Sequence, residues 1–479
     1  METKKRKLWN PFSKEAEEGN VPNRELLSYS VALSGQNITY ALVSQWLFYF
    51  CTDVLFLSPK SVGFLTSFTR IWDALNDPIV GNIIDRRKCK NGNKLHPYLG
   101  KLPIIIGVLT ALMFVDFGVG ETGALLILLC VYIAWDFTYS FQDVALWGMM
   151  ALITPHSREK NRVSQWLNIG VGAAWGIISL IPMIMGAREA IGISEKTLFL
   201  IFGIVFGFGG ELLSIFAYKT KERVEFTAPE QQSFIKDLLA LRHNKILLLM
   251  LLAQILNFLN GAVPWIYFFK YCVSLKVGNT TLNGETVQFY YGILTSVFSA
   301  ASMFFAVKLS DKIGGMRNLV IVAQIMNASC RILAFFVGFD TLPKMILVIA
   351  IISISSIPAN MIGIAQRSIL CDAIDYMEWK TGKRTEGICN SMQNLTNKLV
   401  DALKLLACGY VLTWLKYDAT LGIDSQSDIF YKAQWPLFML LPALGSILYL
   451  IPFLMIKYSK QDKEKVEREL AERHSAVNE

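Results

Sequence analysis

The chain has 479 residues, 53% of them hydrophobic and only 18% charged, where ordinary soluble domains carry about 25% charged residues. Its formal net charge is +8, but the basic residues lie between apolar blocks, and no basic soluble domain offers itself to a nucleic acid. His96, His156, His243 and His474 sit in separate polar segments, so no histidine-centred catalytic constellation is visible.

The apolar residues fall in about twelve blocks, each near the 20 residues needed to cross about 30 Å of hydrocarbon. In the first half they lie near 28–56, 61–84, 98–118, 123–153, 163–186 and 197–218. In the second half they lie near 246–271, 286–309, 317–339, 344–370, 386–415 and 433–456. An all-α membrane protein is expected. The first block is too long for a signal peptide. The polar remainder gives an N-terminal segment 1–27, a central loop 219–245 and a charged tail 457–479, flanking six-helix bundles at 28–218 and 246–456. Most of the 46 Lys and Arg fall in the N-terminal segment, the even-numbered loops and the tail. By the positive-inside rule both termini are cytoplasmic in a multi-pass protein of the cell membrane.

The second block contains Arg70-Ile71-Trp72-Asp73-Ala74-Leu75-Asn76-Asp77-Pro78. An ionised side chain at the bilayer centre costs about 2.5–3.5 kcal/mol on insertion scales, and this block accepts that twice within five residues. Asp73, Asn76 and Asp77 stand at i, i+3 and i+4, so they share one helix face. Carboxylate and amide oxygens on such a face suit a hard cation or a proton, and a structural polar network between helices is the other reading.

In the fourth block Asp143 and Trp147 are also i, i+4. A carboxylate accepts hydrogen bonds from sugar hydroxyls and an indole offers an apolar face to a pyranose; an interfacial Trp and a counter-ion Asp would look the same. Lys398, deep in the eleventh block, needs a carboxylate partner at that depth. Asp73, Asp77 and Asp143 are candidates, and Asp401 is a local one. Asp136 and Arg331 are further charges within spans, without an assigned role. Asn257 and Asn260 either line a pathway or bond helix to helix.

Two loops at equivalent places in the halves, Asp85-Arg86-Arg87-Lys88 and Asp311-Lys312, hint at an internal repeat of six spans. Parallel six-span repeats are the pattern of major facilitator transporters, with substrate bound near the midplane.

The cluster Asp73/Asn76/Asp77, the pair Asp143 and Trp147, Lys398, and the stretch Asp372-Ala373-Ile374-Asp375-Tyr376 in the tenth inner loop resemble the glycoside–pentoside–hexuronide:cation symporters, the melibiose permease-like family of the major facilitator superfamily. The similarity runs from about Leu26 through the eleventh span. It implies the major facilitator fold and cation-coupled uptake of a sugar, glycoside, pentoside or hexuronide. It implies a cation site at Asp73, Asn76 and Asp77, with Ser140 where the family has a threonine. It implies sugar contacts at Asp143 and Trp147, and a lysine near both sites at Lys398. Asn37 stands where the family has a sugar-binding Asp, and Asn168 where it has an Arg, so the sugar is expected to differ from melibiose.

The amide and hydroxyl oxygens favour sodium over a proton as coupling ion, since a proton requires no neutral ligands. No organic cofactor, nucleic acid or obligate protein partner is called for; a small sugar and membrane lipid are. No Walker-type phosphate loop is present, so ATP does not drive the process, and no acid–base constellation points to an enzyme. A lysolipid or other amphiphile carrier of the same fold and a non-transporting sugar sensor are the competing readings.

Overall fold

The computed structural model describes residues 20–86, 93–188, 192–224, 241–263, 265–277, 280–302, 306–382, 386–458 and 460–478. Most of the N-terminal segment, Arg87 and Lys88, and 225–240 of the central loop lie outside them. The regular elements among the described residues are helices apart from one antiparallel hairpin, β1 (Ser274–Val277) with β2 (Thr280–Asn283). Among the described residues six helices are long and apolar enough to cross a membrane. The helices that carry the charges at Asp73 and Lys398 are as long but more polar, because those charges lower their hydropathy. Side chains such as Phe64, Leu75, Ile169 and Phe336 are exposed, as a surface solvated by lipid permits and a water-soluble one does not.

The chain divides into two compact units. The first comprises residues 1–55, 75–181 and 188–229, and the second 56–74, 182–187 and 230–479. One helix, α2 (Pro59–Arg86), gives its first part to the second unit and its remainder to the first.

The first unit contains α1 (Asn23–Tyr49), α3 (His96–Gly100), α4 (Leu102–Met113), α5 (Glu121–Leu152), α6 (Ser157–Ile178), α7 (Glu195–Phe202) and α8 (Gly209–Ser214), and α1, α3, α5 and α6 contribute to a core that includes Tyr29, Leu33, Leu146, Met149 and Leu167. A π-helical stretch Gly203–Phe208 joins α7 to α8. Here α1 and α8 touch backbone to backbone, since a Cβ on Gly35 would lie 2.2 Å from the Gly210 carbonyl oxygen. The start of α1 and the described parts of the second, fourth and sixth loops meet at one end of the unit. Glu25 accepts from Arg223 at 2.6 Å, Glu159 accepts from the Val21 amide at 2.9 Å, and Glu222 takes the amides of Lys94, Leu95 and His96.

In the second unit the apolar core is built by α9 (Lys245–Leu256), α10 (Trp265–Cys272), α11 (Gly284–Ser302), α12 (Met316–Val337), α13 (Leu342–Thr381), α14 (Glu386–Trp414) and α15 (Asp428–Met455). Ser427 caps α15, its hydroxyl accepting the Phe430 amide, which satisfies one of the orphan donors of a first turn. The first part of α2 packs on α14 through Gly63 and Gly409.

Two expectations are corrected, and the charged tail has a defined place. The seventh block is not one helix. Residues 257–259 tighten to a 3₁₀ turn, Gly261 takes φ of 105°, and the chain restarts at Trp265; glycine alone takes that φ without strain. The stretch Asp372–Tyr376 lies within α13, not in a loop, because the helix runs on to a left-handed Gly382. The tail forms α16 (Lys460–Asn478) and is docked: Lys463 pairs with Asp372 at 2.7 Å, Trp379 donates to Glu469 at 2.6 Å, and Val466 and Leu470 are buried.

Candidate functional site

In the first unit the later part of α2 faces α5. Asn76, 1% exposed, donates from Nδ2 to the Ser140 hydroxyl at 3.0 Å and to the Asp136 carboxylate at 3.3 Å. Ser140 in turn donates to Asp77 at 3.3 Å. Asp136, Ser140 and Asn76 are all buried. The amide Oδ1 of Asn76 is buried and accepts no hydrogen bond. Two carboxylates, a hydroxyl and an orphaned amide oxygen thus converge, a donor set made only of hard oxygens. Asp136 enters this cluster without having been assigned to it. The available signal was its i, i+4 relation to Ser140, which puts both on one face of α5.

Asp73 has a different partner. In the second unit Lys398 Nζ donates to its carboxylate at 2.7 Å and to its backbone carbonyl at 3.1 Å. A largely buried ammonium takes the carboxylate its helix packing brings within reach. Asp401, the local alternative, pairs instead with Lys404 at 3.0 Å. Asp73 is bonded to Lys398, and Asn76 and Asp77 both reach Ser140 of α5. Among the described residues no group of three or more His, Cys, Asp or Glu side chains is close enough to hold a metal ion.

Asp143, one helical turn before the 44%-exposed Trp147, accepts a hydrogen bond from Gln36 Nε2 at 2.6 Å. Asn37 donates to Gln36 Oε1 at 3.2 Å and to the Leu33 carbonyl at 2.9 Å. Asn37, Gln36 and Asp143 form one chain, in which fully buried Gln36 orients the carboxylate. Sequence reasoning passed over Gln36, although an amide inside an apolar span is itself a signal. Among the described residues Asn168 reaches Ser164 on its own helix, at 3.5 Å. Glu211 on α8 was also missed. It is fully buried, accepts from Gln142 at 2.8 Å and Ser214 at 2.9 Å, and its Oε1 has no partner. Arg331 lies in the second unit and Asp136 in the first; their observed partners are respectively Asn327 and Asn76.

Outside the spans, His96 and Glu222 make a 2.9 Å ion pair. The hydrogen bond to Glu222 raises the His96 pKa above its ordinary 6.5, and burial opposes it. For Glu222 burial pushes upward, but the donors from His96, Lys94 and Leu95 together bring it down to about 2.

A family model described as MFS/sugar transport protein matches residues 28–460. The chain is 27% identical over 460 residues to the uncharacterized symporter YjmB of Bacillus subtilis (strain 168), covering 93% of this chain and 95% of that one. It is 25% identical over 467 residues to the isoprimeverose transporter of Lactiplantibacillus pentosus, covering 96% and 93%. The fold is similar to that of a bacterial homolog of the human lysosomal transporter Spinster. The TM-score is 0.60 at 12% identity, over 90% of this chain and 96% of that one.

Proposed function

The chain belongs to the MFS/sugar transport protein family and has the major facilitator fold; from that premise we propose a cation-coupled symporter that carries a sugar or glycoside across the cell membrane by alternating access, with sodium as the coupling ion. Relatives named as symporters and as an isoprimeverose transporter support symport of a sugar.

The observation that carries the sodium reading is the orphaned Asn76 Oδ1 beside Asp77, Asp136 and Ser140. A proton needs a single carboxylate oxygen. A metal ion collects several, neutral ones included, and a cation at this place supplies the partner that a buried carbonyl oxygen otherwise lacks. Asp73 shares that face of α2 and is the further ligand. Its partner in the structure is Lys398, at 2.7 Å. Sodium entering at Asp73, Asn76 and Asp77 competes with the ammonium for the Asp73 carboxylate. Asp143, oriented by Gln36 and joined by Asn37, accepts from the sugar, and Trp147 stacks on its ring. The two ligands then strengthen one another's binding, as any coupling between sites requires.

The test is sugar uptake into membrane vesicles at fixed pH, with and without sodium. Wild type is expected to be sodium-stimulated. Asn76→Leu, which keeps the volume and removes the amide oxygen, is expected to lose the stimulation while still binding sugar. Uptake driven by an imposed pH gradient and indifferent to sodium refutes the assignment.

A further inference from the structure

A cavity of about 330 Å³ is lined entirely by residues of the second unit. That volume falls in the range of small-molecule sites, roughly 300–1,000 Å³. It exists because the seventh span breaks. The chain leaves helical geometry at 257–261, and Asn260 and Trp265 come to line the space together with Tyr291, Arg331, Ser355 and Phe438. The close passage of α15 is part of the same arrangement, since a Cβ on Gly445 would stand 3.0 Å from the Asn260 amide nitrogen.

Arg331 is the unusual member. A guanidinium carries five N–H donors. Arg331 Nε reaches Asn327 Oδ1 at 3.3 Å and Nη1 reaches the Phe438 carbonyl at 3.4 Å. Both acceptors are neutral, and both distances exceed the 2.7–2.9 Å typical of a charge-assisted bond. Among the described residues it makes no ion pair. A cation inside a membrane span is normally matched by a carboxylate. Asn327 is already committed elsewhere, donating to Ser446 at 3.2 Å and accepting from Ser355 at 3.3 Å. The arrangement is a weak structural staple and a strong unmet charge. Across the cavity lining, Trp265 is 48% exposed and braced edge-on against Tyr291, with ring centroids 5.3 Å apart. The Asn260 backbone amide donates to the Asn257 carbonyl at 2.9 Å.

We propose that this cavity is an anion-recognition site in which Arg331 clamps the carboxylate or sulfonate of a small polyhydroxylated solute. Trp265 takes the solute's apolar face and Asn260 one of its hydroxyls. Guanidinium and carboxylate match in a two-pronged geometry that a lysine cannot reproduce. The site shares no residue with the Asn37, Asp143, Trp147 and Lys398 set. It goes beyond the transport reading by assigning a separate anionic ligand, and it relies on that reading for its physiological use but not for binding itself.

The experiment is titration calorimetry on the purified full chain with four probes: glucuronate, its neutral methyl ester, isethionate as a hydroxysulfonate, and glucose. Expected is measurable binding of at least one anion, with preference between glucuronate and isethionate assigning carboxylate or sulfonate. Where glucuronate binds, its methyl ester is expected to bind at least tenfold more weakly. Arg331→Gln should lower anion affinity at least tenfold, and Arg331→Lys should restore only part of it. The ester comparison uses wild type alone, so it decides the matter even where Arg331→Gln does not fold. An ester that binds as tightly as the free acid, or anions that do not bind at all, overturns the proposal. Sodium-stimulated sugar uptake without anion binding removes this inference and leaves symport standing. Anion binding without coupled uptake removes symport and leaves the cavity.

Discussion

Replacing Lys398 with alanine removes the Nζ that sits 2.7 Å from the Asp73 carboxylate and 3.1 Å from its carbonyl. At that separation the direct attraction is about 6 kcal/mol for an effective dielectric near 20, most of it offset by the desolvation of both ions. Removing one partner of a buried pair costs about 3–5 kcal/mol, because the other charge is left behind. The side chains keep 22% and 15% of their surface, so the lower end, about 3 kcal/mol, is expected here. Lys398→Ala combined with Asp73→Ala removes both charges. Its loss should fall short of the sum of the single losses by about 1–3 kcal/mol, as for groups in direct contact. Equilibrium unfolding in mixed micelles measures all three. The same variants, titrated with sugar in the presence and absence of sodium, read the functional side. In Lys398→Ala the sodium-induced gain in sugar affinity should vanish. Additive stability losses together with an intact sodium effect would refute the pairing and the exchange of Lys398 for sodium.

Asp143→Ala removes a charged acceptor whose hydrogen bonds are worth about 1.5–3 kcal/mol, so sugar affinity should fall about tenfold or more. Gln36→Leu, which leaves the carboxylate but not its 2.6 Å donor, should weaken binding by less. Calorimetry with the best transported sugar checks both, and wild-type affinity in Asp143→Ala would make that residue structural. The His96–Glu222 pair predicts a pH dependence at the loop end of the first unit. The folded His96 pKa is raised, so its stabilisation is complete below the ordinary value of 6.5 and is lost as pH climbs through the raised value. The Glu222 pKa is lowered to about 2, so its contribution is present above 4.5 and fades on acidification toward that value. Melting temperature followed from pH 6 upward should fall in wild type over the histidine window and stay flat there in His96→Phe; parallel curves would count against the pair.

The sequence by itself determined the class of solvent and the places where that solvent is violated. Apolar blocks near 20 residues long and charges confined between them are local facts, and so is the face shared by Asp73, Asn76 and Asp77, since helical period alone puts them there. What each of those side chains meets is not local. Asp73 and Lys398 stand 325 positions apart, and four carboxylates were open to Lys398 until packing brought Asp73 within 2.7 Å and gave Asp401 to Lys404. Asp136 became part of the oxygen cluster only when α2 lay against α5, and Gln36 became the holder of Asp143 only when α1 did. The break at Asn260-Gly261 was hidden because Leu256, Ala262 and Val263 keep the stretch apolar, so hydropathy passes smoothly over a change in backbone direction. Periodicity specifies which way a side chain faces along its own helix. Which acid meets which base, and which carbonyl oxygen is left waiting for a cation, is decided by helix-to-helix packing, because charge and hydrogen-bond partners are matched in space and not along the chain.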